Sequence, residues 1–417
     1  MLSDHLELLH LLRGPPRSAD EIEAIRLRRL KALIRYVHRN VPYYRELFDS
    51  VDLAAEDIRS VRDLRRLPVT TRDQLSAAEP KRMSRSVDPA DCRVLHSSGS
   101  SGKPWAVYRT PAESRLHRAL ELRSMLAAGV RLRDRIASLG PLWAVRQTLA
   151  RFGICPTTVV SPLLTIEEQA GRLREIQPDV FWVYPTSLRA LLQHVGTLSS
   201  IIRPHMIITS AEPLDEVLRR QLLSDRPVEL RNFYGSVEAG RIAWECAAHA
   251  GLHINTDCVI VELEDEIDVP GAGKSVVVTN LNSRASPFVR YRLGDRCELI
   301  EQPCSCGSPF PLMKAPVGRE WDVIQLPSGR LISPWGCNVF LRELENLQQF
   351  RLIQERVDLL ILQLKFSVRP DRKLLEKLRG QLRQHMGEPV TIRIEERDHF
   401  DREALKFRAF VSKVGSE

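Results

Sequence analysis

Four short apolar runs, each closed by a breaker or a polar turn, constrain this chain more than any other feature. They are Ile136-Ala137-Ser138-Leu139 before Gly140-Pro141, Val180-Phe181-Trp182-Val183 before Tyr184-Pro185, Met206-Ile207-Ile208-Thr209-Ser210, and the run from Val228 to Gly235. Such runs suit strands buried on both faces. Residues 166–176, 187–194 and 214–222 between them read as helices. Strands alternating with helices predict a layered α/β fold. In open α/β sheets ligands gather at the C-terminal strand ends. Those ends carry Ser210, Glu212, Tyr234, Ser236 and Glu238.

The flanking segments extend this plan. Ser18-Ala19-Asp20-Glu21 is a capping-box sequence opening a helix that ends before Asn40-Val41-Pro42. Residues 111–129 carry Leu116, Leu120, Leu122, Met125 and Leu126 and predict another helix. From about residue 253 the pattern turns to strands and turns, which predicts a β-rich subdomain over about 253–317. Beyond it, residues 357–368 alternate as a strand, 371–386 read as a helix, and Val390, Ile392 and Ile394 alternate again. That predicts a small α+β lid over 321–417, after a large N-terminal domain over 1–320.

The chain has 417 residues, 43% of them hydrophobic, which is enough for more than one core. Its net charge of +8 is scattered through helices, and no run of like charge resembles a nucleic-acid arm. No window is apolar enough to span a membrane, and Met1 is followed by polar and acidic residues rather than a secretory signal. The expectation is a cytoplasmic protein that binds neither nucleic acid nor membrane. Eight cysteines in a chain of this size do not make a disulfide scaffold. Close cysteines then suggest a metal or simple packing.

Ser97-Ser98-Gly99-Ser100-Ser101-Gly102-Lys103-Pro104 reads as a loop between two strands. Glycines let backbone N–H groups turn inward, the hydroxyls donate, and Lys103 adds positive charge, which together make a phosphate cradle. The loop is not a Walker A sequence: two residues separate Gly99 from Gly102, and Pro104 stands where that motif has Ser or Thr. On its own it reads equally well as a flexible Ser/Gly turn.

Three further stretches follow it in order: Asn232-Phe233-Tyr234-Gly235-Ser236-Val237-Glu238, Tyr291-Arg292-Leu293-Gly294-Asp295, and Gly318-Arg319-Glu320-Trp321-Asp322. With the glycine loop, this order resembles the adenylate-forming superfamily of acyl-CoA synthetases and peptide-synthetase adenylation domains. Asn40-Val41-Pro42-Tyr43-Tyr44-Arg45 and Leu67-Pro68-Val69 resemble its phenylacetate–CoA ligase-like branch, which has capsule-biosynthesis-type relatives.

The resemblance implies an enzyme that activates a small-molecule carboxylic acid with ATP and Mg²⁺. An acyl-adenylate forms, pyrophosphate leaves, and the acyl group passes to CoA. An amine or a carrier-protein thiol is the alternative acceptor, and a catalytically degenerate scaffold the alternative to an enzyme. A homodimer is an assembly this reading allows. Ser98, Gly99, Ser100, Ser101, Gly102 and Lys103 would hold the β- and γ-phosphates, and Glu238 the Mg²⁺. Tyr234 would stack on adenine within the segment Asn232, Phe233, Gly235 and Ser236, while Asp295 and Arg319 would hold the ribose. Ser210-Ala211-Glu212 takes a place near adenine where relatives usually carry a central glycine. Lys406, in Leu405-Lys406-Phe407, would be the catalytic lysine of the lid, and Asp322 the hinge.

The acid would lie between the strand ending near Gly140 and the strand before Tyr234, with Trp143, Tyr184, Pro185 and Phe233 as lining. Aromatic lining favours an aryl or aliphatic acid. Cys304-Ser305-Cys306 with Cys246 and a histidine makes a Cys3His set suited to a structural Zn²⁺. His253, in Gly251-Leu252-His253, matches the context in relatives, and His249 is the alternative.

Overall fold

The structure is a computed structural model describing residues 16, 18–97, 105–139, 153–161, 164–264, 273–316, 318–319, 324–332, 337–341, 344–400 and 410–414. Helix α1 (Ala19–Asn40) starts at Ser18, whose side chain accepts from the Glu21 amide. Helix α2 (Pro42–Asp49) follows at once, with proline at its first position, where no N–H is needed. A short α3 (Arg72–Ala77) leads to the antiparallel pair β1 (Arg93–Ser97) and β2 (Trp105–Arg109). Helix α4 (Pro111–Ala127) opens with a full capping box: Thr110 Oγ1 accepts from the Glu113 amide, and Glu113 accepts from the Thr110 amide.

The alternating segment follows. It runs β3 (Ile136–Leu139), β4 (Thr157–Val160), α5 (Ile166–Ile176), β5 (Val180–Val183), α6 (Pro185–Val195), β6 (Met206–Ser210), α7 (Glu216–Asp225) and β7 (Glu229–Ser236). The strands lie parallel in the order β4-β3-β5-β6-β7. Their period-two pattern sorts the side chains onto two buried faces. Phe181, Val183, Ile207 and Leu139 pack under α5, α6 and α7, through Leu173, Leu188, Leu191, Leu218 and Leu222. Val180, Trp182, Ile208 and Phe233 pack on the other face, under Leu122 and Met125 of α4. Both faces are covered, which is why these runs lack polar alternation.

Strand β8 (Gly240–Glu245) turns back antiparallel on β7, and β9 (Leu252–Ile254) pairs with β8. Strands β10 (Val259–Glu264), β11 (Lys274–Asn280) and β12 (Tyr291–Cys297) make an antiparallel sheet. Strands β13 (Leu299–Ile300) and β14 (Leu312–Met313) return to the edge of the large sheet beside β9, completing nine strands. Strand β15 (Gly318–Arg319) joins the second sheet against β12. Residues 253–317 therefore divide between two sheets. Helix α2 and the segment 67–70 hold the chain that leads into β12: Tyr44 Oη donates to the Pro287 carbonyl, and the Thr70 amide donates to the Arg290 carbonyl at 2.7 Å.

After β16 (Ile324–Gln325), β17 (Leu331–Ile332) and a short α8 (Asn338–Leu341), the chain forms β18 (Leu347–Arg356), β19 (Leu359–Phe366), α9 (Arg372–Met386), β20 (Thr391–Glu396) and β21 (Phe410–Ser412). The sheet order is β20-β19-β18-β21, and Leu378, Leu382 and Met386 of α9 close its core. This unit touches the large sheet's helices: Arg189 of α6 bonds both Asp215 and the Gln348 carbonyl, and Gln193 bonds Gln349. Among the described residues no helix is long and apolar enough to cross a membrane.

Candidate active site and metal cluster

Of the sequence-selected residues, Tyr234 and Asp295 meet beside the C-terminal end of β7. Adjacent residues of a strand face opposite ways, so Phe233 and Tyr234 serve different spaces. Tyr234 points toward the second sheet, where its hydroxyl donates to Asp295 Oδ2 at 2.8 Å. Asp295 is paired in register with Arg319 across β12 and β15. An aromatic face, a carboxylate and an arginine position thus meet at one edge.

The turn after β7 is built by close approach. A Cβ on Gly235 would lie 2.4 Å from the Gly240 carbonyl oxygen, and Gly240 has φ +74°. The turn's Ser236 Oγ accepts from the Ala239 amide at 3.0 Å. Glu238 is fixed through its backbone, whose carbonyl accepts from Asn280 Nδ2 at 2.8 Å. Its carboxylate makes no hydrogen bond among the described residues, so it is free to take a hard cation. Arg109 is buried nearby and donates to the Val237 carbonyl. Burial pulls its guanidinium down to about 10, against the pull of Glu113 and Glu238. Partly buried His117 packs against Gly240. Burial and the Arg109 charge hold its imidazole well below the usual histidine range.

Ser210, Ala211 and Glu212 lie just past β6. Ala211 has φ +68°, the left-handed region where glycine is at ease. Glu212 accepts from the Thr186 amide and hydroxyl at 2.8 and 2.6 Å, which ties it to the start of α6. Ser210 Oγ accepts from Trp182 Nε1 at 2.9 Å, on the Phe233 side of the sheet. The Asn232 amide donates to Glu245 Oε2 at 2.7 Å. Tyr184 and Pro185 mark the junction of β5 and α6, both buried. Burial, helped by Glu212, pushes the Tyr184 phenol up, and Arg241 pulls it back.

Strands β1 and β2 flank the glycine loop as an antiparallel hairpin, with Ser97 opposite Trp105. Trp105 stacks on Tyr291 of β12 at 6.0 Å, which anchors that hairpin beside Asp295. Ser98, Gly99, Ser100, Ser101, Gly102, Lys103, Gly140, Trp143, Asp322 and Lys406 lie outside the described residues, as does the Arg319 side chain.

Residues the sequence did not single out complete the site. Arg109, His117, Trp182, Glu121 and Arg241 surround the β7 turn. Arg241 stands three residues after Glu238, a signal that was available. Its partner Glu121 is remote in sequence and carried none.

A second constellation lies at the antiparallel edge of the large sheet. Cys246, His253, Cys304 and Cys306 bring one ligand atom each within 4.8 Å of one another. Cys246 Sγ is 3.6 Å from Cys304 Sγ, and Cys306 Sγ is 3.3 Å from His253 Nε2. Thiolates held at about 2.3 Å from a tetrahedral zinc lie about 3.8 Å apart, so the donor set and spacing fit that ion. His253 Nδ1 bonds the Phe310 carbonyl at 3.0 Å, which leaves Nε2 for the cluster. His249 instead pairs with Glu245 at 2.9 Å. Cys246 directly follows β8, His253 lies in β9, and Cys304 and Cys306 lie between β13 and β14, so an ion held there would fasten strands of one sheet.

A nine-stranded mixed sheet, a second sheet carrying Asp295, and an α+β unit beyond form the fold of the adenylate-forming ligases. No protein-family model matches the chain. Its sequence is similar to phenylacetate–coenzyme A ligase of Aromatoleum evansii, 29% identical over 347 residues, covering 79% of this chain and 76% of the relative. Protein CapK of Staphylococcus aureus is 20% identical over 396 residues, covering 91% and 86%. A crystal structure of 2-hydroxyisobutyryl-CoA ligase in the postadenylation state superposes with a TM-score of 0.80 at 18% identity, covering 96% of this chain and 91% of that one. The resemblance to the phenylacetate–CoA ligase-like branch of the superfamily holds over most of the chain.

Proposed function

We propose that this chain is an AMP-forming acid ligase that activates a carboxylic acid with ATP and passes the acyl group to CoA. The observation that carries the reading is the Tyr234–Asp295 contact at the β7 edge, with Arg319 in register beside it. Tyr234 offers a ring for adenine. Asp295 offers a carboxylate for the ribose hydroxyls, and Arg319 a partner to the same sugar.

A carboxylate oxygen of the acid attacks the α-phosphorus, and the bond to the bridging oxygen breaks. Pyrophosphate leaves. The CoA thiol then attacks the acyl carbon, loses its proton, and AMP leaves. Such transfer depends on positioning and charge neutralisation. Ser98 to Lys103, which lie in sequence between β1 and β2, would cradle the outer phosphates. The Glu238 carboxylate would hold a Mg²⁺, which would neutralise phosphate charge. Lys406 of the lid stabilises the transferring phosphate, and Asp322 serves as the hinge between the large domain, 1–320, and the lid, 321–417. The acid lies on the Phe233 side, against Tyr184 and Pro185. Cys246, His253, Cys304 and Cys306 would hold a Zn²⁺ that fastens the sheet edge and takes no part in the chemistry. ATP and CoA point to a cytoplasmic setting.

The test is pyrophosphate release with ATP and Mg²⁺ across a panel of carboxylic acids, with Lys406→Ala and Glu238→Ala beside the wild type. Release that needs one acid, falls at least about 100-fold in each variant, and yields a thioester when CoA is added is the expected result. Release with a thioester absent and an amide present would move the acceptor to an amine. No release with any acid would end the reading.

A further inference from the structure

The Phe233 side of the β7 edge holds a buried cation that an apolar pocket has no use for. Arg241, on the strand paired with β7, lies opposite Gly235. Its guanidinium carbon is 4.7 Å from the centre of the Phe233 ring and 5.5 Å from that of Trp182. Those two rings meet edge to face at 5.6 Å. Arg241 Nη2 donates to Glu121 Oε1 at 2.7 Å, and Nε donates to the same carboxylate at 3.2 Å and 3.3 Å. Both side chains are about nine-tenths buried, at 9% and 11% exposure. Nη1 makes no hydrogen bond among the described residues.

The position matters because of what shares it. Tyr184 feels the Arg241 charge, and Ser210 is bonded to Trp182 on the same face. Tyr234 takes the nucleotide on the opposite face. An acid whose carboxylate reaches the α-phosphate must therefore extend its remaining atoms toward Phe233, Tyr184 and Arg241.

We propose that Arg241, held by Glu121 against Trp182 and Phe233, sets the specificity of the acyl pocket, and that the acid it admits carries a neutral hydrogen-bond acceptor, a hydroxyl or a carbonyl, on its acyl portion. This rests on the acid-activation reading and narrows it. A bare phenyl or alkyl group against Nη1 leaves a desolvated donor without an acceptor. Discrimination of that origin is about 10- to 100-fold per lost bond. A second carboxylate fits worse, because the guanidinium is already neutralised by Glu121 and a further anion would face that carboxylate. Aromatic lining alone points to a plain aryl or aliphatic acid; the Arg241–Glu121 pair changes that to an acceptor-bearing one.

The experiment measures pyrophosphate release for matched acids: phenylacetate against 4-hydroxyphenylacetate, butanoate against 3-hydroxybutanoate and 3-oxobutanoate, and succinate as the dianion. The wild-type protein is expected to favour the acceptor-bearing member of at least one pair by about 10- to 100-fold in kcat/KM. Arg241→Met, which keeps the length and stacking of the side chain, should bring that ratio toward one. Glu121→Gln, which leaves the guanidinium uncompensated, should raise succinate relative to its neutral competitors. The wild-type comparison needs no variant to fold. Release that favours the unsubstituted member in every pair overturns this inference and leaves acid activation standing. An acceptor preference unmoved by either substitution also overturns the assignment to Arg241. Release with no acid at all removes the acid-activation reading, and this inference with it.

Discussion

Tyr234 Oη donates to Asp295 Oδ2 at 2.8 Å, joining the last parallel strand of the large sheet to an inner strand of the second one. The bond holds the phenol end of the tyrosine against the carboxylate. Hydrogen bonds to charged groups contribute about 1.5–3 kcal/mol. Asp295→Ala removes both the brace and the proposed ribose partner, and should raise the KM for ATP by about 10- to 100-fold. Tyr234→Phe keeps the ring and loses only the brace, so a rise of about 3- to 10-fold is expected. Steady-state pyrophosphate release at varied ATP decides it. Equal effects of the two substitutions would mean that the bond, rather than the carboxylate, carries nucleotide affinity.

The β7 turn depends on two backbones in near contact. A methyl group at Gly235 would meet the Gly240 carbonyl at 2.4 Å, and a carbonyl within a paired strand cannot swing aside. Gly235→Ala should destabilise the fold by about 2–4 kcal/mol and abolish acid activation. Ala211 presents the opposite case. Its φ of +68° is strained for any residue with a Cβ. Ala211→Gly relieves about 1–2 kcal/mol of that strain and gives back part of it as unfolded-chain entropy. A net gain of about 0.5–1 kcal/mol is expected in a urea titration. A loss would mean that the methyl group makes a contact worth more than the strain.

The cysteine–histidine cluster gives a prediction that needs no substrate. Protein purified without chelator should contain one zinc per chain by elemental analysis. Cys304→Ser, which removes a buried donor, should lower both the zinc content and the melting temperature. His249→Ala should leave the zinc content intact, since His249 is committed to Glu245. A protein free of zinc, with melting unchanged by Cys304→Ser, would mark the cluster as packed thiols.

Much of this arrangement was legible because it depends on neighbours in sequence. The strands at 136–139, 180–183 and 206–210 are apolar on both faces since helices cover both. The helix starts at Thr110 and Thr165 announce themselves through capping boxes, and Pro185 through its place at the first helical position. The role of β9, β13 and β14 was not legible. These strands are only two or three residues long, and their membership in the large sheet is decided by pairing across long separations. Strand β18 was missed for another reason: Gln349, Arg351 and Gln354 interrupt its apolar residues. Arg241 and Glu121 show the same limit inside the site. Arg241's nearness to Glu238 in sequence hinted at the site, but only the fold pairs it with Glu121 and sets its guanidinium against two rings.

His117 supplies the pH dependence. Partly buried against Gly240 and close to Arg109, its imidazole titrates well below the usual histidine range, mainly because burial disfavours the charged form. In the unfolded chain it takes up a proton near pH 6.5. Below that pH the unfolded state therefore binds more protons than the folded one, and stability falls as the pH is lowered from about 6.5 toward the folded value. The slope from one such residue is at most about 1.4 kcal/mol per pH unit. Urea midpoints measured from pH 7.5 to pH 5 should decline for the wild-type protein and decline less for His117→Asn. His385 is also held low by burial, so some slope remains in the variant. Parallel curves for the two proteins would show that His117 is protonated at no cost, and that the β7 turn tolerates a cation beside Arg109.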